Sequence, residues 1–302
     1  MKTTPESFAV FILTHARPDG VVTYKTLQDR GYTGRLFFVL DNEDVTVEKY
    51  RANFGSNRVV VFDKKVEADA CDEGNNFDER RTITMARNAC FDIAKKLGIT
   101  HFLELDDDYT SFRYRYVEKY MTKKDCHNLD SLFAAMLTFY NSTPFSSIAF
   151  AQGGDFIGGA GSGMMSNYKN TSRKCMNSFF CSTLRPFRFI GAMNEDVNTY
   201  TTLGGRGVLF LTIPHIGLEQ KPTQSQSGGI TEMYERYGTY CKAFTTVMMS
   251  PSCVSVSMMG FKNPRLHHRI KWRTTVPRII DQMHKKANQS QANERARSNV
   301  IR

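Results

Sequence analysis

The sequence has no run approaching the 18 or more apolar residues of a membrane-spanning helix, so no membrane-embedded role is expected. It has no C-x-x-C pair. Its seven cysteines (71, 90, 126, 175, 181, 241 and 253) are odd in number and scattered. That pattern argues against a zinc ribbon or a disulfide frame and reads as reduced thiols in the cytoplasm. Met1 to Glu6 is polar and lacks the layout of a signal peptide, so export is not expected. No internal repeat is visible. What is present is ordinary for a folded protein: 302 residues, 41% hydrophobic and 23% charged. That excludes a disordered chain, a collagen and a coiled-coil rod, and suits one large domain or two small ones.

The net charge of +10 is unevenly spread. Residues 1–220 balance to zero, whereas residues 261–302 carry 11 Lys and Arg against 2 acids. A neutral body with a basic end fits a polyanionic partner, nucleic acid first; a solubilising tail is the alternative. The first 110 residues alternate apolar strands with helices. Strands are expected at Phe8–Leu13, Arg35–Leu40, Val59–Phe62 and His101–Leu105, and helices at Val21–Arg30 and Thr82–Leu97, the latter ended by Gly98. This order predicts an open, largely parallel α/β sheet that binds ligands at its strand C-terminal ends. Further on, the pattern predicts a helix at Asn128–Tyr140 capped by its Asn. Strands are expected at Ser147–Ala151, Ser178–Thr183, Phe187–Ile190 and Val208–Ile213. Gly153 to Gly163 holds six glycines in eleven residues and is expected to be irregular or close to a ligand. A mobile polar loop is expected at 219–229, helices at Thr231–Tyr240 and Val276–Lys286, and a solvated tail at 287–302.

The sharpest chemical signal is Phe102-Leu103-Glu104-Leu105-Asp106-Asp107-Asp108-Tyr109, an apolar strand ending in three carboxylates. Such acids repel unless something neutralises them, and hard oxygen donors suit Mg²⁺ or Mn²⁺ held together with substrate phosphates. On an extended chain Asp106 and Asp108 point one way and Asp107 the other. An acidic turn is the structural alternative. Asn194-Glu195-Asp196 follows the apolar Phe189–Met193 and offers a general base, or a helix cap. Thr14-His15-Ala16-Arg17-Pro18 closes the first strand and Asp41 the second; a cation and a carboxylate there can hold a nucleotide. Arg80, Arg81 and Arg87 lie near the start of the helix before the acidic strand, where cations can offset diphosphate charge. His215 follows an apolar strand ending in Pro214 and is a candidate metal ligand, or a structural histidine. Arg265, His267, His268, Arg269, Lys271, Trp272 and Arg273 mix bases with aromatics as a nucleic-acid surface does. Arg113-Tyr114-Arg115-Tyr116 is a second such stretch, or an amphipathic strand.

In this order the pieces resemble a GT-A glycosyltransferase over residues 8–216: a Thr14–Pro18 nucleotide loop, Asp41 against uracil, and Ala86-Arg87-Asn88 before a D-x-D-like Asp106-Asp107-Asp108. Glu195-Asp196 and Ile213-Pro214-His215 follow. Within that class the chain resembles the phage TET-associated DNA glycosyltransferases, which modify 5-hydroxymethylpyrimidines; 5-hydroxymethylcytosine is the usual acceptor and a kinetoplastid relative uses 5-hydroxymethyluracil. The compact size, the Asn-Glu-Asp context and the basic end carry that closer likeness.

The resemblance implies a GT-A-like Rossmann-type mixed sheet flanked by helices, with a basic helical C-terminal extension. It implies a nucleotide-sugar and catalytic domain over 1–218, a basic region over 219–286 that completes the fold and contacts nucleic acid, and a flexible tail over 287–302. It further implies a UDP-sugar donor near Thr14, His15, Arg17, Asp41, Arg80, Arg87 and Asp106, and Mn²⁺ or Mg²⁺ on Asp106, Asp108 and His215. Asp196 is the first choice of base and Glu195 the second. The acceptor is 5-hydroxymethylcytosine in phage DNA, inside an infected bacterial host. A transferase acting on a glycan or protein, a non-catalytic DNA-binding protein and a nucleotidyltransferase are the competing readings; the intact carboxylates speak against the second.

Overall fold

Six consecutive buried residues, Phe8–Leu13, form the central strand β1. Buried on both faces, it can only sit inside a sheet covered by helices on each side. The computed structural model describes residues 4–71, 80, 82–117, 121–156, 159–166, 174–221, 231–259 and 264–275. Arg81, Gly158, the segment 222–230, the helix expected at 276–286 and the tail 287–302 lie outside the described residues.

Helix α1 (Val22–Asp29) leads to β2 (Arg35–Asp41), helix α2 (Val47–Phe54) to β3 (Val59–Phe62), and α3 (Lys64–Asp69) and α4 (Thr84–Lys96) to β4 (His101–Asp106). These four strands are parallel, in the order β3-β2-β1-β4. Their C-terminal ends therefore share one edge. Leu13 pairs with Asp106, and Asp41 with Phe62. Helix α4 ends as its sequence signals: Gly98 takes φ +66° and Ile99 N donates to Ala94 O at 2.8 Å.

The sheet continues as β8 (Ser178–Ser182), β7 (Ser147–Gln152), β9 (Phe210–Gln220), β5 (Tyr109–Val117) and β6 (Met121–Asp125), in that spatial order. Strand β8 runs antiparallel to β4, so the sheet is mixed. Alternate residues of β1 feed two cores. Phe8, Val10 and Ile12 meet α1, α2 and α5 (Leu129–Asn141) on one face. Ala9, Phe11 and Leu13 meet α4 and α7 (Glu195–Gly205) on the other, where α6 denotes the short Gly163–Ser166 turn between. Asn128 caps α5 as expected, accepting from Ser131 N at 2.9 Å.

Three expectations need correction. Phe187–Ile190 is not a strand. Asn88 supplies the hydrogen bonds a neighbour strand would have given: its Oδ1 accepts from Phe189 N at 2.8 Å and its Nδ2 donates to Phe189 O. The strand expected at Val208–Ile213 runs instead from Phe210 through Pro214 to Gln220, with a register shift opposite Phe150/Ala151 that accommodates the proline. The basic region, finally, contains a hairpin as well as helix. After α8 (Thr231–Met249, kinked at Gly238) come β10 (Val254–Met259) and β11 (Arg265–Ile270), antiparallel, then a helical turn at Trp272–Thr275. The Gly153–Gly163 stretch is irregular as expected, built of two 3₁₀ turns before α6. Among the described residues no helix is long and apolar enough to cross a membrane.

Candidate active site

The parallel strand ends bring Thr14–Arg17, Asp41 and Asp106–Asp108 together because β1 lies between β2 and β4. The three consecutive acids have different environments. Asp107 is buried and points to the β1 loop, where it accepts from Thr14 Oγ1 at 2.7 Å and pairs with Arg17 at 3.3 Å. Tyr50 closes the same network: its hydroxyl meets Thr14 Oγ1 at 2.7 Å and accepts from Arg17 N at 2.9 Å. Sequence reading placed Thr14 and Arg17 here, but not Tyr50 or the bracing role of Asp107. Ala16 holds a left-handed φ of +54°, and its N–H donates to Asp44 Oδ2 at 2.8 Å. The loop is thus fixed by side chains from α2, from the β2 end and from the acidic turn.

His15 Nδ1 lies 2.7 Å from Asp41 Oδ2, and Lys64 lies 3.5 Å from the other Asp41 oxygen. The Asp41 hydrogen bond raises His15 above its usual pKa. Burial pushes Asp41 up, but the His15 bond and the charges of His15 and Lys64 outweigh it and hold the carboxyl below the usual range. Arg80 joins this group through Glu43, at 2.6 Å.

Asp106 stands against Arg87 instead. Arg87, fully buried on α4, reaches Asp106 at 2.9 Å, Glu195 at 3.2 Å and Glu104 at 3.6 Å. Its guanidinium also lies over the rings of Phe179 and Phe189, 4.9 and 5.8 Å from their centroids. Burial opposes its charge, yet the three carboxylates outweigh that and raise its pKa. One cation does not neutralise three acids. Burial, with Asp106 adding, pushes Glu104 up to about 8. Enclosure by protein pushes Asp106 up to about 7, aided by Asp108 and Glu195 and opposed by Arg87. The Asp106 side chain still keeps 25% of its surface open, so a ligand can reach it. Asp108 is half-buried and is also raised, by burial and by Asp107. Glu104 was missed as a participant; an acid inside the apolar run Phe102–Leu105 was the available signal.

Glu195 and Asp196 open α7. Their Asn194 is not a side-chain cap. It takes a left-handed φ of +53° and spends its Nδ2 on Lys242 O at 2.7 Å, Thr246 Oγ1 at 3.1 Å and His268 Nδ1 at 3.5 Å. The acids are thereby tied to α8 and β11. Asp196 is buried; burial first, then Glu195, push it up to about 7.

The remaining candidates divide. His215 is exposed on β9 and is not brought to the acids. The residue of that strand end that meets the triplet is Lys221, whose N donates to Asp108 O at 3.2 Å. His215 lies six residues earlier, roughly 15–20 Å away at strand rise. His268 is turned inward against Asn194, and burial lowers its pKa to about 3. Trp272 is partly buried and stacks one face on buried Tyr200, with centroids 5.8 Å apart. His267 is half-buried against His268. Arg265, Arg269, Lys271 and Arg273 are exposed.

A family model described as TET-associated glycosyltransferase matches residues 8–229. The chain belongs to the TET-associated glycosyltransferases and is a glycosyltransferase. Comparison with curated proteins finds no match. Among solved structures, the chain is similar to glucosyl-3-phosphoglycerate synthase from Mycobacterium tuberculosis in complex with Mg²⁺ and UDP (10% identity, TM-score 0.43, 87% of each chain covered). The same enzyme with Mn²⁺, UDP and phosphoglyceric acid gives 10% identity and TM-score 0.43, over 87% of this chain and 86% of that one. A further mycobacterial protein gives 9% identity and TM-score 0.41, over 87% of this chain and 83% of that one.

Proposed function

We propose that the protein transfers a sugar from a UDP-sugar to the hydroxymethyl group of 5-hydroxymethylcytosine in DNA, with a divalent cation at Asp106 and Asp108. The observation that carries this is the surplus of carboxylate at the strand ends. Glu104, Asp106 and Glu195 crowd one arginine, and Asp108 and Asp196 stand beyond it. Among the described residues no group of three His, Cys, Asp or Glu is placed to cage a metal. Two open carboxylates suit Mg²⁺ or Mn²⁺, which keeps water and takes its other ligands from substrate phosphates. A cation held there supplies Lewis-acid stabilisation of charge on the departing diphosphate.

The chain's own residues do the rest. His15 and Asp41 face the nucleoside end of the donor, and Arg17, held by Asp107, faces its phosphates. The carboxylate of Asp196 accepts the hydroxymethyl proton as that oxygen bonds to the anomeric carbon and the bond from that carbon to the diphosphate breaks. A carboxyl raised to about 7 is a stronger base than an ordinary aspartate once ionised. Asp196→Asn is expected to lower turnover about 10²–10⁴-fold while UDP affinity stays within twofold, and to remove the rise in rate as pH passes 7. Steady-state rates from pH 5.5 to 9, with calorimetry for UDP, check this; unchanged turnover rejects the role.

Exposed Arg265, Arg269, Lys271 and Arg273 support contact with the DNA backbone. The double variant Arg269→Glu/Arg273→Glu is expected to weaken DNA binding and flatten the log-log salt dependence by about two phosphate contacts. An unaltered salt slope would remove this surface from the interface. The overall test is UDP release with Mn²⁺ from a panel of UDP-sugars, with hydroxymethylcytosine DNA, plain-cytosine DNA or no DNA. Release stimulated only by the hydroxymethylated DNA, with a matching mass gain on the base, is the expected result. Release indifferent to DNA assigns the acceptor to glycan or protein.

A further inference from the structure

One cleft lies beyond the carboxylates and has a built lining. It encloses about 740 Å³ between the Gly153–Phe156 turn and strands β5, β6 and β9. That is within the range of about 300–1,000 Å³ for sites that enclose small ligands. It begins where the acidic turn ends: Gln220 pairs with Tyr109 across β5 and β9, and Lys221 binds the Asp108 carbonyl. The Tyr109 hydroxyl donates to the carbonyl of Asn177, another lining residue.

Three cations, Arg115, Lys123 and Lys221, line it against one acid, Glu219. Glu219 pairs with Arg115 at 3.2 Å and with Lys123 at 3.7 Å, which leaves the wall positive. The Arg115 guanidinium lies over the Phe156 ring, 4.1 Å from its centroid, as a stacked and largely buried cation–aromatic pair in the cleft wall. Arg115 is only 3% exposed. Three lining side chains also leave a buried polar atom with no hydrogen-bond partner: Arg115 Nε, Gln152 Nε2 and Gln220 Oε1. Such orphans are uncommon in folded proteins and call for an explanation. All three belong to side chains of the cleft wall, and each atom is covered by protein, so a ligand meets them only as those side chains turn toward the cleft. The space beside Gly153 and Gly154 is open, since a Cβ at either meets nothing within 4 Å.

We propose that this cleft receives the acceptor base, turned out of the DNA, with Gln152 and Gln220 reading its polar edge and the Arg115–Phe156 wall carrying its flat face. The inference rests on the nucleic-acid reading of the acceptor given above. Gln152 on β7 and Gln220 on β9, strands that pair at Gln152 and Leu218, offer amide donors and acceptors to a cytosine edge, which pairs an amino donor with acceptor atoms. Flipped bases are read in this way, by edge hydrogen bonds and by stacking on aromatic or guanidinium planes. Lys123 and Lys221 then face the flanking phosphates. A neutral glycan needs no such concentration of positive charge.

Two measurements test it. The variants Gln152→Leu and Gln220→Leu are expected to raise KM for a hydroxymethylcytosine oligonucleotide about 10–100-fold, the usual range for one lost base-edge contact. UDP affinity and far-UV circular dichroism should match the unmodified protein. In the unmodified protein, a single-stranded oligonucleotide carrying 5-iodocytosine at the acceptor position is expected to photocrosslink to Phe156 or Met176, mapped by mass spectrometry. Transfer by the unmodified protein, with both variants at its KM and crosslinks mapping elsewhere, overturns this inference and leaves the acceptor reading standing. No transfer to hydroxymethylcytosine DNA by the unmodified protein overturns both.

Discussion

Asp108→Asn is expected to lower sugar transfer by about a thousandfold while leaving the fold unchanged. On the proposed reading the two outward acids hold the cation that offsets charge on the leaving diphosphate. Lewis-acid stabilisation of that kind is worth several kcal/mol, and each 1.36 kcal/mol is about tenfold in rate. Asp108 is the better probe of the pair. Asp106 also binds Arg87, so a change there mixes chemistry with the stability of the buried ion cluster. Asp107 braces Thr14 and Arg17, and its replacement would disturb the donor loop instead. The measurement is UDP release against Mn²⁺ concentration, beside a thermal melt. A variant with full activity and the same Mn²⁺ response removes Asp108 from the ligand set.

Arg87→Met has the largest expected effect on stability, about 3–5 kcal/mol, because it strands buried acids without their cation. Methionine fills part of the space but brings no charge to Glu104, Asp106 or Glu195. The loss should depend on pH, and the sign follows from the raised carboxyls. Glu104 is already held up to about 8 and Asp106 to about 7 with Arg87 present, against about 4 in an unfolded chain. Without the arginine both rise further. From about pH 4 to 8 the folded variant then holds protons that the unfolded chain releases, so its stability falls as pH rises. Urea unfolding should show a smaller deficit at pH 5 than at pH 8. Arg87→Lys should recover part of the loss, since it keeps the charge but not the forked geometry that serves three partners. Equal stability of the methionine variant and the unmodified protein at both pH values would show that the cluster is not a net contributor.

The sequence determined the parallel half of the sheet and its binding edge by itself. Short apolar runs from Phe8–Leu13 to His101–Leu105, alternating with helices of which the last has a readable stop at Gly98, admit few other arrangements. Because parallel strands align their C-terminal ends, the loop at Thr14–Arg17, Asp41 and the acidic triplet had to meet. Local pattern was sufficient there because each signal lies within one element.

Contacts between elements distant in the chain were decided only by the tertiary structure. Asn194 looks like a cap beside its acids, yet its amide goes to α8, 48 residues away. Trp272 reads as a stacking surface, and the fold sets one of its faces on Tyr200. His215 reads as following a strand that ends near the triplet, but the strand runs on through Pro214 to Gln220, so Lys221 reaches the triplet and the histidine stands short of it. Glu104 is unremarkable in sequence and Arg87 reads there as a cation for the diphosphate, and only the tertiary structure buries the two together against Asp106 and Glu195. The cleft beside Asp108 joins a glycine-rich turn to strands from two other parts of the chain. Periodicity reports what a residue does to its own helix or strand; which side chains face each other across the fold is set by packing and burial, and those long-range energies leave no local pattern to read.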